Sequence, residues 1–358
     1  MNGRLRVAVV GCGIQAQLTI LPALKAHPLI EIVALCDPDL RKLQTLATRY
    51  QIPRYHTDFD QIKEDSDINA VVIATPTYLH APLAIAALEN GKDVLCELPL
   101  ATTFAAAEQV LTVAREKKRR LMPCLVTRLR DDVQVVKRHI ERRNLGKLYY
   151  AKTGWLRKKQ EWTTPTWQRN RGIAGDGAFL NLGSALLDTA LYLTAPDQPI
   201  AVTGKAINHT ESQFKLTPIS APRSEDTAFA LIRFDSGLIL TVEVGWSLLL
   251  EQDFVYSNLF GTKGAAILNP LTIHKEIQGK LVNITPQLQT KGLLKTAYNQ
   301  LIKIWVDSLL KDVPPDTSIG DALLINKITD AFYRSNETGT EVKLISDPNQ
   351  TQANTSRL

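Results

Sequence analysis

Apolar positions in the first third of the chain follow two alternating periods. Runs with a continuous apolar stretch at residues 5–11 (LRVAVVG), 30–37 (IEIVALCD), 68–76 (INAVVIATP), 92–97 (KDVLCE) and 120–126 (RLMPCLV) read as strands buried on both faces. Between them, residues 14–27, 38–52, 78–91 and 103–118 carry apolar side chains at helical spacing. Pro38 stands near the start of the second of these helices, where a missing N–H costs little. Gly91 stands where a helix end favours a left-handed residue. Strand–helix alternation with unbroken apolar strands predicts a parallel sheet covered by helices on both sides.

The pattern changes near residues 122–130. A helix over 132–143 ends at NLGK, and an alternating strand follows at 148–156. A loop rich in Trp, Thr, Arg and Gly (161–177) leads to a helix over 178–193. Strands then succeed one another at 200–208, 226–234, 238–246, 253–261 and 264–269, with FDSGL as a hairpin turn between the second and third. Helical spacing returns at 297–310 and 320–335. The expected fold class is α/β: an N-terminal Rossmann dinucleotide-binding domain (1–125), then an α+β domain with an open, mostly antiparallel sheet (126–345) and a polar tail (346–358). A chain of 358 residues exceeds what one core usually spans.

Composition narrows the classes. Hydrophobic residues make up 44% and charged residues 22%, as in ordinary globular chains. The net charge of +6 comes with basic clusters at 115–120 and 137–143. Both fall in or just after helical patterns and read as solvated faces, with no nucleic-acid-binding module beside them. Cys12, Cys36, Cys96 and Cys124 form no CxxC pair and lie at or beside strand ends. They read as reduced, buried thiols of a cytoplasmic protein. The basic start is followed by an apolar run too short and too broken by glycine for a signal peptide. No run reaches the roughly 18 apolar residues of a membrane span. The six histidines are scattered, and no HExxH or Cys/His cluster occurs, so no metal is expected.

Candidate chemistry starts at GCGIQA (11–16), between the first strand and the first helix. Gly11 permits a tight turn, and Gly13 lets a pyrophosphate approach the backbone. Ile14 and Gln15 open the helix whose free N–H groups face the phosphates. Asp37 ends the next strand at about the expected 20 residues and suits the adenosine ribose hydroxyls. An acid there favours NAD over NADP, because it repels a 2′-phosphate. Arg41 and Lys42 are either exposed helix charges or groups able to reach such a phosphate.

Residues 74–101 (ATPTYLHAPLAIAALENGKDVLCELPLA) resemble the glucose-fructose oxidoreductase / inositol dehydrogenase (Gfo/Idh/MocA) family of NAD(P)-dependent enzymes. RNLGKLYYAKTGW, AGDGAFLNLGSALLD, SEDTAFALIRFDSGL and GTKGAAIL extend the resemblance, which runs from about residue 5 to 344. It implies a second domain whose sheet packs against its mate in homodimers or homotetramers. It also implies that Thr75, Pro76 and His80 run along the cofactor and that Glu97 lies near the nicotinamide. Thr75 and Pro76 end a parallel strand, at the edge where ligands bind. His80 equally reads as a helix N-terminal residue satisfied by backbone.

The chain departs from the family at its chemistry. The lysine between the acid and the proline is Leu98, and the aspartate and histidine of the cleft helix are Asn181 and Ala185. Alcohol oxidation needs a group to take the hydroxyl proton as hydride leaves, worth about 10²–10⁴ in rate. Neither Leu98 nor Ala185 can take it, and Asn181 binds but is no base. The family's usual mechanism therefore cannot operate here. Asn181 and Asp188 remain as catalytic candidates, although the family's acid at the latter position is usually structural. Arg128, Trp167 and Arg169 are the candidate contacts for a small-molecule substrate, with Trp167 open to lid packing instead. Two readings follow: an oxidoreductase whose proton is handled elsewhere, or a silent dinucleotide-binding sensor or partner protein.

Overall fold

The computed structural model describes residues 4–159, 177–208, 225–289, 291–311 and 319–344. Strands β1 (Leu5–Val10), β2 (Ile30–Cys36), β3 (Arg54–His56), β4 (Ala70–Ile73), β5 (Asp93–Cys96) and β6 (Leu121–Pro123) form one parallel sheet in the order β3-β2-β1-β4-β5-β6. The unbroken apolar runs have the expected cause. Val7 and Val9 enter the core on one face of the sheet, while Ala8 and Val10 enter a second core on the other. The order reverses between β1 and β4, which opens a crevice at their carboxyl ends.

The sequence pattern missed β3, whose three residues carry no apolar signal and lie at the sheet edge. The first helix also departs from a regular α-helix. Ala16–Ile20 forms a π turn ahead of Leu21–Ala26. Pro22 has no N–H to give the carbonyl four residues back, and the helix widens just before it.

The second sheet holds nine strands among the described residues. Beyond β7 (Leu148–Lys158) come β8 (Pro199–Ile207), β9 (Thr227–Phe234), β10 (Ile239–Leu248), β11 (Phe254–Gly261), β12 (Gly264–Leu268), β13 (Thr272–Ile277), β14 (Lys280–Asn283) and β15 (Val342–Lys343). Their order is β14-β13-β12-β11-β7-β10-β9-β8-β15, and only the β7–β10 pair is parallel. The mostly antiparallel expectation is met. Gly237, at φ +88°, makes the β9–β10 hairpin turn. Alternation along β9 buries Ala228, Ala230, Ile232 and Phe234 and turns Phe229, Leu231 and Arg233 outward.

Two late helices tie the sheets together. Leu293–Leu310 presents Ala297, Tyr298, Leu301, Ile302, Trp305 and Val306 to the first sheet's core, beside Ile20, Leu21 and Leu24. Ile319–Thr338 puts Ala322 and Leu323 against that sheet's other face, and Ile325, Ile328 and Phe332 into the core of the second domain. The helix Ala178–Thr194 packs into the core of the second domain, with Phe179 stacked on Phe332. Among the described residues no helix is long and apolar enough to cross a membrane.

Candidate active site

The glycine turn is set by a close approach. Gly11 has φ +89°, and a Cβ on it would lie 2.4 Å from the Ala74 carbonyl oxygen and 2.7 Å from the Thr75 nitrogen. Its own N–H donates to the Cys36 carbonyl at 2.8 Å, so the turn is held between the ends of β2 and β4. A Cβ on Gly13 would meet nothing within 4 Å. That open side, at the N-terminus of the first helix, is where an anion can reach the backbone. Ile14 beside it is 77% exposed.

Asp37 shapes the same loop. It is buried, and its carboxylate accepts from the Cys12 N–H at 2.8 Å, the Asp39 N–H at 3.0 Å and the Lys42 ammonium at 2.9 Å. Lys42 is thus drawn onto the acid, while Arg41 is exposed on the next helix. At the end of β4, the Thr75 hydroxyl oxygen is buried with no hydrogen-bond partner in the protein. The open Gly13 cradle and the orphaned Thr75 hydroxyl, with Pro76 next to it, fit a bound dinucleotide.

His80 turns into the protein. One ring nitrogen lies 2.7 Å from the Pro99 carbonyl and the other 2.8 Å from that of Thr75. Burial pushes the ring's pKa down, and the carbonyls of Pro99, Thr75 and Glu97 oppose that push. His80 therefore braces the end of β4 against the turn after β5. Of the two readings open in the sequence, the backbone-satisfied residue is the one that these contacts describe.

That turn carries the acid. The Tyr298 phenol donates to Glu97 Oε1 at 2.7 Å, and the Gln15 side-chain amide donates to the phenol oxygen. Burial raises the Glu97 carboxyl to about 7 against the lowering by Tyr298 and the Leu98 N–H. Burial also pushes the Tyr298 phenol up, so it stays a donor. Leu98 packs against the cores of both domains at once. The side chain in the lysine position is thus an apolar wedge at the floor of the cleft.

Asn181 and Ala185 share one face of Ala178–Thr194 and, with Tyr192, are the positions of that helix left partly exposed. The Thr77 hydroxyl donates to Asn181 Oδ1 at 3.2 Å, and the Asn181 amide donates to the Gly177 carbonyl at 2.9 Å. The helix is thereby fastened to the loop after β4. Neither Thr77 nor Tyr298 was legible as a site residue, since only folding brings residue 298 to residues 15 and 97.

Asp188 and Arg128 need correcting. Asp188 is fully buried, and its Oδ1 accepts from Arg128 Nε at 2.9 Å and from a second nitrogen of the same guanidinium. Thr127 donates to its other oxygen at 3.1 Å, and Arg128 reaches on to Asp321 at 2.6 Å. Acid and base are spent on each other as a cross-link between the helices, so neither is free to take a proton or grip a substrate. Trp167 and Arg169 lie outside the described residues.

Gly11→Ala is expected to weaken NADH binding at least about tenfold by fluorescence titration, because the added carbon collides with β4 or displaces the turn. Asp188→Asn leaves a buried guanidinium short of its partner. It is expected to cost about 3–5 kcal/mol in urea denaturation.

Known proteins match at both ends of the chain. Residues 5–124 match the profile described as "Oxidoreductase family, NAD-binding Rossmann fold", and residues 137–344 that of the same family's C-terminal alpha/beta domain. D-glucoside 3-dehydrogenase of Escherichia coli (strain K12) is 25% identical over 348 residues, covering 95% of this chain and 97% of the relative. Levoglucosan dehydrogenase of Pseudarthrobacter phenanthrenivorans is 27% identical over 262 residues, covering 68% and 66%. The solved structure of levoglucosan dehydrogenase with NADH and levoglucosan superposes with a TM-score of 0.84 at 21% identity, over 96% of this chain and 100% of that one. At that identity the superposition speaks for the fold, and the two profiles in order along the chain speak for the lineage: the protein belongs to the Gfo/Idh/MocA oxidoreductase family.

Proposed function

We propose that the protein transfers hydride between NAD(H) and a small, hydroxyl-bearing, sugar-like substrate. The substrate lies between the carboxyl edge of the first sheet and the Asn181 face of Ala178–Thr194. The observation that carries this reading is the turn at Gly11. It leaves Gly13 open and ends beside a buried Thr75 hydroxyl that lacks a protein partner. The nicotinamide, when bound, supplies the hydride acceptor or donor.

The chain's own residues supply the rest. Gly13 admits the pyrophosphate, and Asp37 faces the adenosine ribose. Asn181, fastened to Thr77 and Gly177, lies on the partly exposed face of Ala178–Thr194 that the substrate would meet. Leu98 and Ala185 keep one wall apolar and exclude water. Relatives that are named as dehydrogenases of levoglucosan and of D-glucosides support a sugar-like substrate and support turnover over a silent sensor.

NAD is the preferred cofactor in this reading. A 2′-phosphate would meet the Asp37 carboxylate, and Lys42 is already engaged by that acid at 2.9 Å. The expected outcome is NADH binding at least about tenfold tighter than NADPH. With NAD+, levoglucosan or methyl glucoside should give NADH absorbance. A chain that binds neither dinucleotide overturns the reading.

The partner we propose is a second copy of the chain, in a homodimer or homotetramer built on the outer face of the second sheet. Phe229 (44% exposed), Leu231 and Ile239 project from it, with Phe254 near its end. Cross-strand pairing sets Tyr150 beside Ile239 and Phe260. The four buried, free cysteines suit a reducing cytoplasm. Phe229→Glu with Ile239→Glu is expected to convert the oligomer to monomer in light scattering after size exclusion. An unchanged mass would remove this face as the interface.

A further inference from the structure

We infer that Glu97 is the proton acceptor of this chain, held in place by Tyr298 and Gln15, and so replaces the lysine, aspartate and histidine that its relatives employ. The inference rests on the hydride-transfer reading above and names the residue that completes it.

Among the described residues, elimination brings the choice to Glu97. Asp188 is closed off by Arg128 and Thr127. Both nitrogens of His80 face carbonyls. Asp37 sits at the far side of the glycine turn, bound to Lys42 and two backbone N–H groups. Glu97 directly follows β5 at the carboxyl edge, next to the β4 end that carries Thr75. It is partly exposed, and its donors are one phenol and one backbone N–H. It lies in no ion pair among the described residues.

The surroundings tune it for that task. Charged and titratable groups facing it are few. Tyr298 donates to it from the late helix. The Cys96 and Cys124 thiols beside it are pushed well up by burial first and by Glu97 second, and stay neutral. His80 lies behind its main-chain carbonyl. Burial holds the carboxyl near 7, where a general base works best at neutral pH. The Gln15 amide donates to the Tyr298 phenol, which donates to the carboxylate, and this chain stabilises its ionised form.

The step balances. The substrate's C–H bond breaks, and its electron pair leaves as hydride to the dinucleotide. The substrate's O–H bond breaks, and the proton passes to a Glu97 oxygen as C=O forms. The substrate loses two electrons and the dinucleotide gains them. The proton then leaves Glu97 for solvent, which restores the carboxylate. Oxidation therefore rises with pH through about 7 and then levels, because the carboxylate is the working form.

The test reads Glu97 directly. Infrared difference spectra, with Glu97→Gln as reference, follow its protonated carboxyl with pH, in the free chain and with saturating NAD+ or NADH. The free midpoint is expected near 7. NAD+, whose ring is cationic, should lower it by about 1 pH unit or more, and neutral NADH should not. Tyr298→Phe keeps the ring but removes the donor, and should raise the midpoint. Glu97→Gln should slow oxidation of levoglucosan or methyl glucoside about 10²–10⁴-fold and abolish its dependence on pH near 7. A midpoint in the ordinary carboxylate range, or one equal with NAD+ and NADH, overturns the assignment and leaves the hydride-transfer reading standing. Failure of both dinucleotides to bind overturns both.

Discussion

The site depends on one contact between backbones. The turn after β1 passes so near the end of β4 that no side chain fits between them at Gly11. That approach defines the crevice at the strand-order reversal. It aims the N-terminus of the first helix across the crevice and leaves Thr75 at its rim. Asp37 holds the turn from the other side through the Cys12 N–H. An acid read in sequence as a ribose ligand is thus first a structural clamp on the loop that receives the cofactor.

Much of the fold was legible because its strands carry a signal strong enough to survive without tertiary context. The run at β4 is apolar throughout and those at β1 and β2 are broken only by Arg6 and Glu31, which pair with each other near the strand starts, as burial on two faces demands. The antiparallel strands of the second sheet alternate, as one covered face demands. The helix Ala178–Thr194 was placed to within a residue of its observed end. What failed to show were short or polar strands: β3, β14 and β15 at the edges, and β13 one place in, contribute few buried side chains and gain their shape from neighbours. The π turn at Ala16–Ile20 was invisible for another reason, since helical spacing hardly changes across one widened turn.

The glycine turn of the site was legible, and the side-chain contacts around it were not. Glycines and an acid at fixed spacing encode a nucleotide loop locally. Asp188 and Arg128, by contrast, each look reactive when read alone, and only folding shows that they neutralise one another. Tyr298 gave no warning at all. Its helix shows an ordinary apolar stripe, and a tyrosine in such a stripe is usually packing. The hydroxyl acquires meaning because the helix returns across roughly two hundred residues of chain to lie against Gln15 and Glu97.

The interleaving has a mechanical result. The first sheet is roofed by Leu293–Leu310, and Ile319–Thr338 is shared between the two lobes. Neither lobe owns a complete interior, so a fragment ending after β6 would expose the grease that Trp305 and Tyr298 cover. Melting should then be a single cooperative event for the described body and not two separable ones. Leu98, touching both interiors, sits on the seam that couples them.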